Sequence, residues 1–502
     1  MSELLSGLID LARDAHGRET LTQQLYDQLR AAILAAALPP GHRLPSSREL
    51  ARQLDVSRNT VSGVIDQLAM EGYLEVARGR RPKVAPPVET KLISGKRVQR
   101  GTGAGPRLSR WADRLGKPDW PFREGPARPL APAHADGRAF PHVIWARCLR
   151  RAAGRPVPDA AALNRPSLRG ALLRHLVDHR GVRAEAQQII ILPSAQAAIE
   201  LTARIVLNAG DIAWVESPGY GGARAAMQAA GAEVRGVALD QSGLALKKRR
   251  DRPRLIFVTP SHQHPTGRLM PINRRRELLR FAGDAGAMII EDDYDSEIHY
   301  EGRPVAALQG LDDAGRVFYV GTFSKSTVAD IRCGYVIVPP GLADLFETAQ
   351  RHAGQIMPAV VQDALAEFVD DGHFAAHIRK MTRVYRVRRD HLVSALSKSA
   401  GKHLIIERPA GGVQLLAHLD PGRDDREISQ RLAAAGVTAR PLSPHFTGTT
   451  ASQGLFLGFA AWTEQEINKA AGTIGRTLDE VDRPDDRAGA ARIRPRKASR
   501  LK

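Results

Sequence analysis

Between residues 140 and 478, short apolar runs alternate with stretches that have the periodicity of helices. The runs stand at 189–192, 212–215, 255–258, 288–290 and 317–320. A short strand that is apolar at every position suits burial on both faces, as in a parallel sheet that helices cover on both sides. The pattern therefore predicts an α/β domain with a mostly parallel sheet.

The first 85 residues have a different pattern, which predicts three helices followed by a hairpin. The apolar face of the first helix repeats every four residues, at Leu21, Leu25, Leu29 and Ile33. Ser46 is expected to cap the second helix in a capping box with Glu49, and Ser57 is expected to cap the third. Two short strands follow at 73–77 and 83–85. This order is that of a winged helix-turn-helix.

A winged helix-turn-helix places the first turn of its recognition helix against base edges in the major groove of DNA. Arg58, Asn59 and Thr60 occupy that turn; arginine can bind guanine bidentately and asparagine can bind adenine. Arg48 on the preceding helix suits a phosphate. The wing tip, suited to phosphates or a narrow minor groove, is predicted at Arg78, Gly79 and Arg80. Taken singly, each of these could equally be a solvated surface group.

Composition bears on the class of partner and on the cellular compartment of the protein. The net charge of +19 favours a polyanionic partner such as nucleic acid, although an arginine-rich proteome would also produce it. The two cysteines, Cys148 and Cys333, offer no disulfide framework, and no metal site is predicted. No signal-peptide pattern and no apolar run of about 20 residues is present, so a soluble cytoplasmic protein with no membrane partner is expected.

The 502 residues divide into four predicted segments. Residues 1–86 form the winged helix. Residues 87–132 are rich in proline, glycine and basic residues and are predicted to be a linker that either follows DNA phosphates or is a solvated tether. Residues 133–480 form the larger domain, and the basic tail 481–502 is predicted to be disordered.

A lysine and an acidic loop stand directly after two of the apolar runs. Lys325 follows the run at 317–320, and burial there would lower its pKa and free the amine for Schiff-base formation. Thr322 and Arg332 could bind a phosphate. Asp292 follows the run at 288–290 and could keep a pyridinium nitrogen protonated. Alternatively, the lysine is a surface residue and the acidic loop a solvated turn or metal ligand.

Two resemblances join these features. The segments 44–51, 56–61 and 71–74 resemble the winged helix of the GntR family over about residues 21–85. In that family, the positions of Arg48, Arg58, Asn59, Thr60 and Gly79 contact DNA. The remaining motifs, from about residue 140 to 462, resemble the aminotransferase-like domain of MocR regulators, at 216–220, 259–267, 291–297, 300–304, 321–325 and 332–335.

The second resemblance implies a fold-type I large and small domain that binds pyridoxal 5′-phosphate (PLP). Lys325 would form the internal aldimine, Asp292 would pair with the pyridinium nitrogen, and Tyr294 would contact the phenolic oxygen. Tyr220 would stack on the ring. His264 stands where aminotransferases have an asparagine ligand. The phosphate would be bound by Thr322, Arg332, Ser194 and Ala195.

Three departures from the family pattern bear on this site. Pro193 and Ser194 replace a hydroxyl residue and a glycine in the phosphate loop, which would weaken PLP binding unless Ser194 donates its own hydroxyl. Ala461 stands where the enzymes and several regulators have an arginine that clamps the substrate carboxylate. Residues 326–330 are more polar than usual.

The first functional hypothesis is a DNA-binding transcription regulator in which PLP on Lys325, together with an amine or amino-acid effector or PLP itself, changes the occupancy of an operator. An active aminotransferase with a DNA-binding appendage is the second, although Ala461 argues against efficient turnover and leaves only slow half-reactions. The third is a cofactor-free dimeric DNA-binding scaffold. By resemblance, the chain would form a homodimer, which could be arranged head-to-tail.

Overall fold

The computed structural model describes residues 8–11, 20–77, 80–86, 109, 111–112, 127–155, 163–246, 251–302, 305–449 and 452–482, with only the backbone at 329. The chain forms two compact units, Met1–Arg107 and Leu108–Lys502. The predicted linker falls largely, and the tail almost wholly, outside the described residues. Within the described residues, no helix combines the length and the apolar character needed to cross a bilayer.

The N-terminal unit is a winged helix. Its helices are α1 (Leu21–Leu34), α2 (Ser47–Gln53) and α3 (Arg58–Met70), and its antiparallel wing strands are β1 (Leu74–Glu75) and β2 (Lys83–Val84). The Ser57 side chain accepts a hydrogen bond from the Thr60 N–H at 3.0 Å, which fixes the start of α3 as predicted. The Ser46 side chain caps α2 through the Glu49 N–H, whereas the Glu49 carboxylate pairs with Arg81 at 3.3 Å.

The C-terminal unit is built on an eight-stranded sheet with the order β3-β10-β9-β8-β7-β4-β5-β6. Its strands are β3 (Ile189–Leu192), β4 (Ile212–Ser217), β5 (Glu233–Asp240), β6 (Gly243–Leu244), β7 (Leu255–Val258), β8 (Met288–Asp293), β9 (Val317–Thr322) and β10 (Gly334–Ile337). Six strands run in one direction, and β6 and β10 run against them. The predicted mostly parallel sheet is therefore confirmed. The reversal of β10 follows from its short connection to β9, which contains no crossover helix.

Helices cover both faces of this sheet. They are α4 (His142–Ala153), α5 (Pro166–Arg180), α6 (Ala195–Val206), α7 (Gly221–Ala229), α8 (Ile272–Ala285), α9 (Ala343–His352) and α10 (Ala359–Asp370). Alternate residues of β3 enter different cores: Ile189 and Ile191 belong to one cluster, and Ile190 and Leu192 to another. Burial on both faces explains why the strand is apolar at every position.

A smaller four-stranded antiparallel sheet follows in the chain, with the order β11-β12-β14-β13. Its elements are α11 (His373–Ala400), β11 (Leu404–Glu407), β12 (Gln414–Leu419), α12 (Asp425–Ala434), β13 (Arg440–Pro441), β14 (Gly454–Gly458) and α13 (Glu464–Val481). Leu415 and Leu457 pack with the helices in one core, while Leu416 on the opposite face packs with Leu442 and Phe446. The large and small domains expected for fold type I are both present.

Gly334 at the start of β10 positions the first turn of α6. A Cβ at Gly334 would lie 2.3 Å from the carbonyl carbon of Ser194 and 2.4 Å from the backbone nitrogen of Ala195. Both atoms belong to the main chain, so a side chain here would displace the start of the helix. The close approach requires glycine although its backbone is not left-handed.

We expect Gly334→Ala to destabilise the protein by about 1–3 kcal/mol, because the inserted methyl overlaps main-chain atoms. The control is Gly283→Ala on α8, where a Cβ would meet no atom of another described element within 4 Å. In a helix, that change should stabilise by about 0.5–1 kcal/mol. Thermal unfolding of the full chain measures both, and equal midpoints for the two variants would contradict the close approach.

Candidate functional site

Lys325 lies three residues beyond the end of β9, in the interior of the large domain. Its Nζ donates a hydrogen bond to the Ala133 carbonyl at 2.9 Å. Burial lowers the pKa of Lys325 to about 8, although Asp295 and Asp292 oppose this and Arg440 adds to it. More of this amine is therefore neutral near pH 7 than in an exposed lysine, and the neutral amine is the nucleophilic form.

Asp292 lies in β8, on the strand next to β9, and is 5% exposed. Its Oδ1 has no hydrogen-bond partner among the described residues. Burial, together with the charges of the neighbouring Asp293 and Asp295, raises the pKa of Asp292 to about 8. A buried carboxylate oxygen without a donor is costly, so this position fits a ligand that brings an N–H group, such as a pyridinium ring.

The adjacent Asp293 faces the other side of the sheet and has a structural role. Its Oδ2 accepts a hydrogen bond from Arg180 Nε at 2.7 Å and another from the Tyr319 hydroxyl. Burial alone would raise the pKa of Asp293, but Arg180 and Tyr319 outweigh it and hold the pKa below its usual value. Strand alternation thus directs the arginine-paired side chain of Asp293 and the side chain of Asp292 to opposite faces of the sheet.

His264 lies at the centre of an aromatic cluster formed by three strand ends. Its ring centroid is 5.6 Å from that of Tyr220 after β4 and 5.9 Å from that of Tyr294 after β8, both edge-to-face. Phe456 of the small domain is 5.3 Å away. Burial lowers the pKa of His264 well below its usual value, helped by the charges of His445, Lys325 and Arg440. His264 Nε2 has no partner among the described residues. The neutral ring can therefore offer a hydrogen bond to a ligand.

Ser194 and Ala195 form the first turn of α6, at the expected phosphate position. Ser194 has φ −170°, an extended conformation that any residue adopts, so replacing glycine there costs no backbone strain. Its Oγ accepts a hydrogen bond from the Ala197 N–H at 3.1 Å, which leaves the hydroxyl proton available. Gln196, the last residue of the phosphate-loop pattern, was not among the predicted cofactor residues, and its buried Oε1 has no partner among the described residues.

Arg332 and Lys325 line one cavity of about 700 Å³, together with Ser324. Arg332 is exposed and has φ +50°, a left-handed conformation that is uncommon for arginine. The hydroxyl of Thr322 contacts the Cys333 carbonyl at 3.2 Å and also accepts the Ser324 N–H. The predicted cofactor residues thus come from neighbouring strand ends and from the start of α6.

Arg440 is a second residue that the sequence pattern did not indicate. It lies in β13 and is half-buried, and its charge lowers the pKa values of Lys325 and His264. A lone arginine in a short apolar segment was the available sequence signal.

At the position predicted for the missing carboxylate clamp, the Ala461 carbonyl accepts a hydrogen bond from Arg138 Nη2 at 2.5 Å.

The predicted DNA-contacting residues lie on the N-terminal unit. Arg48, Arg58, Asn59 and Arg80 are exposed. Thr60 is half-buried, and its hydroxyl is 2.7 Å from that of Ser57 in the helix cap. The predicted wing-tip residues Arg78 and Gly79 lie outside the described residues. The first turn of α3 thus presents one guanidinium and one carboxamide to solvent.

Comparison with known proteins agrees with both units. The family described as bacterial regulatory proteins, gntR family, matches residues 21–84, and aminotransferase class I and II matches residues 139–474. The probable rhizopine catabolism regulatory protein MocR of Rhizobium meliloti is 36% identical, over 96% of this chain and 99% of that protein. The HTH-type pyridoxine biosynthesis transcriptional regulator PdxR of Corynebacterium glutamicum is 31% identical, over 91% of this chain and 96% of that protein.

A solved structure resembles the C-terminal unit. Kynurenine aminotransferase of Pyrococcus horikoshii has a TM-score of 0.66 and 25% identity, and the match covers 75% of this chain and 96% of that one. The two regulators match this chain over nearly its whole length, which includes both the DNA-binding domain and the aminotransferase domain. The chain therefore belongs to the MocR-type transcription regulators of the GntR family, with a winged helix followed by a fold-type I aminotransferase domain.

Proposed function

We propose that this transcription regulator holds PLP covalently on Lys325 and responds to an amine or amino-acid metabolite, or to PLP itself. The observation that carries the proposal is the unpartnered buried oxygen of Asp292 beside the desolvated amine of Lys325. When bound, PLP supplies an electrophilic carbon that captures primary amines. A pocket that only stabilised the fold would gain nothing from a buried carboxyl oxygen without a partner.

The surrounding residues would bind and orient the cofactor. Asp292 would accept the ring N–H, and Tyr220 would pack against the ring face. Tyr294 and His264 would hydrogen-bond the ring oxygen. The phosphate would be held by Ser194, Ala195, Thr322 and Arg332, where the start of α6 offers backbone N–H groups.

The winged helix would bind double-stranded operator DNA. Arg58 and Asn59 suit base edges, and Arg48 and Arg80 suit phosphates, with Thr60 supporting the turn. We propose a cytoplasmic homodimer, with a head-to-tail arrangement as one form, whose two winged helices read paired half-sites. An effector would change DNA occupancy only through unequal affinity for the domain arrangements that bind and release the operator.

Lys325→Ala should abolish covalent retention of PLP. Wild type incubated with PLP and dialysed should keep a visible absorption band, and the variant should lose it because no amine remains at that position. Lys380→Ala, which removes an exposed lysine of α11, is the control and should behave as wild type. A wild-type protein that retains no band would refute the proposal. Steady release of a carbonyl product from added amines would instead indicate an active aminotransferase.

Trapping of Lys325 by PLP and borohydride should accelerate as pH rises through about 8, because only the neutral amine reacts. Asp295→Asn removes a negative charge that raises the pKa of Lys325, so the midpoint should move to lower pH. Asp313→Asn, at a side chain 87% exposed, is the matched control. Mass spectrometry of the trapped lysine gives the rates. A midpoint that stays fixed, or moves upward, in Asp295→Asn contradicts the assigned electrostatics.

Arg58→Ala should weaken binding to a selected operator sequence by about 1–3 kcal/mol and leave binding to scrambled DNA much less affected. Arg48→Ala should weaken both alike and reduce the salt dependence by about one phosphate contact. Fluorescence anisotropy at several stated salt concentrations measures both variants. An equal loss on the two DNAs in Arg58→Ala would remove its base-reading role.

A further inference from the structure

We infer that Arg440 binds an oxyanion of the effector, so that the ligand is a compact amine that also carries a carboxylate or sulfonate. The inference rests on the proposed function, because it concerns the amine that would reach the cofactor on Lys325. It assigns the anionic half of the ligand to the small domain, on β13.

The register of the small sheet places Arg440 on the face that meets the aromatic cluster. In the antiparallel pair of β13 and β14, Arg440 lies opposite Phe456 and Pro441 lies opposite Leu455. Directly opposite residues project from the same face of a sheet. Leu455 belongs to the core that packs against α11 and α13, so Arg440 and Phe456 share the other face. Phe456 contacts the His264 ring at 5.3 Å between centroids.

The charge of Arg440 acts on the groups around the pocket. It lowers the pKa values of Lys325 and His264, and also that of His445, which burial lowers to about 4. It likewise opposes the rise in the pKa of Tyr220 that burial produces. The two histidines are therefore neutral near pH 7, whereas a guanidinium stays protonated. Arg440 is a fixed positive charge next to the position proposed for the cofactor ring.

Burial makes this cation a stronger ligand for an anion than a surface arginine. Arg440 is half-buried, and burial lowers its pKa. In such surroundings a guanidinium gains more from a bidentate oxyanion than it does in water. Ala461, at the family's clamp position, has no charged side chain, and its carbonyl is bonded to Arg138. Arg440 would supply the charge that this position lacks.

The size and charge of the effector follow from the positions of Lys325, where the cofactor would be held, and Arg440 on β13. Its amine would have to reach the cofactor held on Lys325, and its oxyanion would have to reach β13. Either a carboxylate or a sulfonate can pair with the Arg440 guanidinium. The ligand class that we infer is therefore a short zwitterion with a primary amine at one end and an oxyanion at the other. An uncharged alkylamine would meet the cofactor but leave Arg440 without the added ion pair.

The test titrates PLP-loaded protein with matched pairs of amines and follows the visible spectrum. L-Alanine is compared with ethylamine, 4-aminobutanoate with butylamine, and 2-aminoethanesulfonate with propylamine. Wild type should bind at least one zwitterion about 10-fold to 100-fold more tightly than its alkylamine. Arg440→Gln should lose most of that difference while its affinity for alkylamines and its cofactor band persist. Arg431→Gln, at a partly exposed arginine of α12, is the matched control and should keep the difference.

Arg440→Lys keeps the positive charge but cannot make the bidentate contact of a guanidinium, so its preference for zwitterions over alkylamines should be intermediate. This variant tests the inference if Arg440→Gln does not fold. A wild type that binds every zwitterion no better than its alkylamine overturns the inference, as does an unchanged preference in Arg440→Gln. In both cases an intact cofactor band leaves the proposed function standing. Absence of the band in wild type overturns the proposed function, and this inference with it.

Discussion

Burial of an acid and a base at one edge of the large sheet determines the chemistry of the C-terminal unit. The carboxyl ends of β8 and β9 lie side by side, so Asp292 and Lys325 occupy the same interior region. Desolvation shifts the pKa of each to about 8, from opposite directions. Such groups are costly to bury without partners, and the apolar cores on both faces of the sheet must offset that cost.

The proposed sensing role depends on the same edge of the sheet. The strand ends bring together an amine, a carboxyl oxygen without a partner among the described residues, and an aromatic cluster, and we propose that these groups hold the cofactor. The small domain contributes Phe456 and Arg440 from its own sheet. A ligand held between the two domains would contact both, and differential contact is what shifts a conformational equilibrium.

Much of this organisation could be predicted from the sequence because local patterns fix it. The runs at 189–192 and 255–258 became β3 and β7 with the predicted bounds, since fully buried strands must be apolar throughout. Ser57 caps α3 as expected. The antiparallel direction of β10 was not predicted, because it depends on a short connection with no pattern of its own. The carboxylate of Glu49 pairs with Arg81 instead of completing the predicted capping box with Ser46.

Local sequence patterns indicated some residues of the proposed cofactor site and missed others. Lys325 and Asp292 follow apolar runs in the sequence, where position alone suggests a role. The structure places Asp292 within β8 and Lys325 three residues beyond the neighbouring β9. Ser194 was expected to weaken PLP binding in place of glycine, and this stays a prediction; its extended backbone shows that the replacement costs no strain. Arg440 was missed because its placement depends on pairing with Phe456, sixteen positions away in the chain, which no local motif encodes.

The central claim is that ligand binding in the aminotransferase domain controls DNA binding by the winged helix. The direct test measures the affinity of the full-length protein for a selected operator at one salt concentration, with and without PLP, in wild type and Lys325→Ala. The account predicts that PLP, or PLP with an amine, changes the wild-type affinity and leaves that of the variant unchanged. Identical affinities in wild type under all these conditions would contradict it.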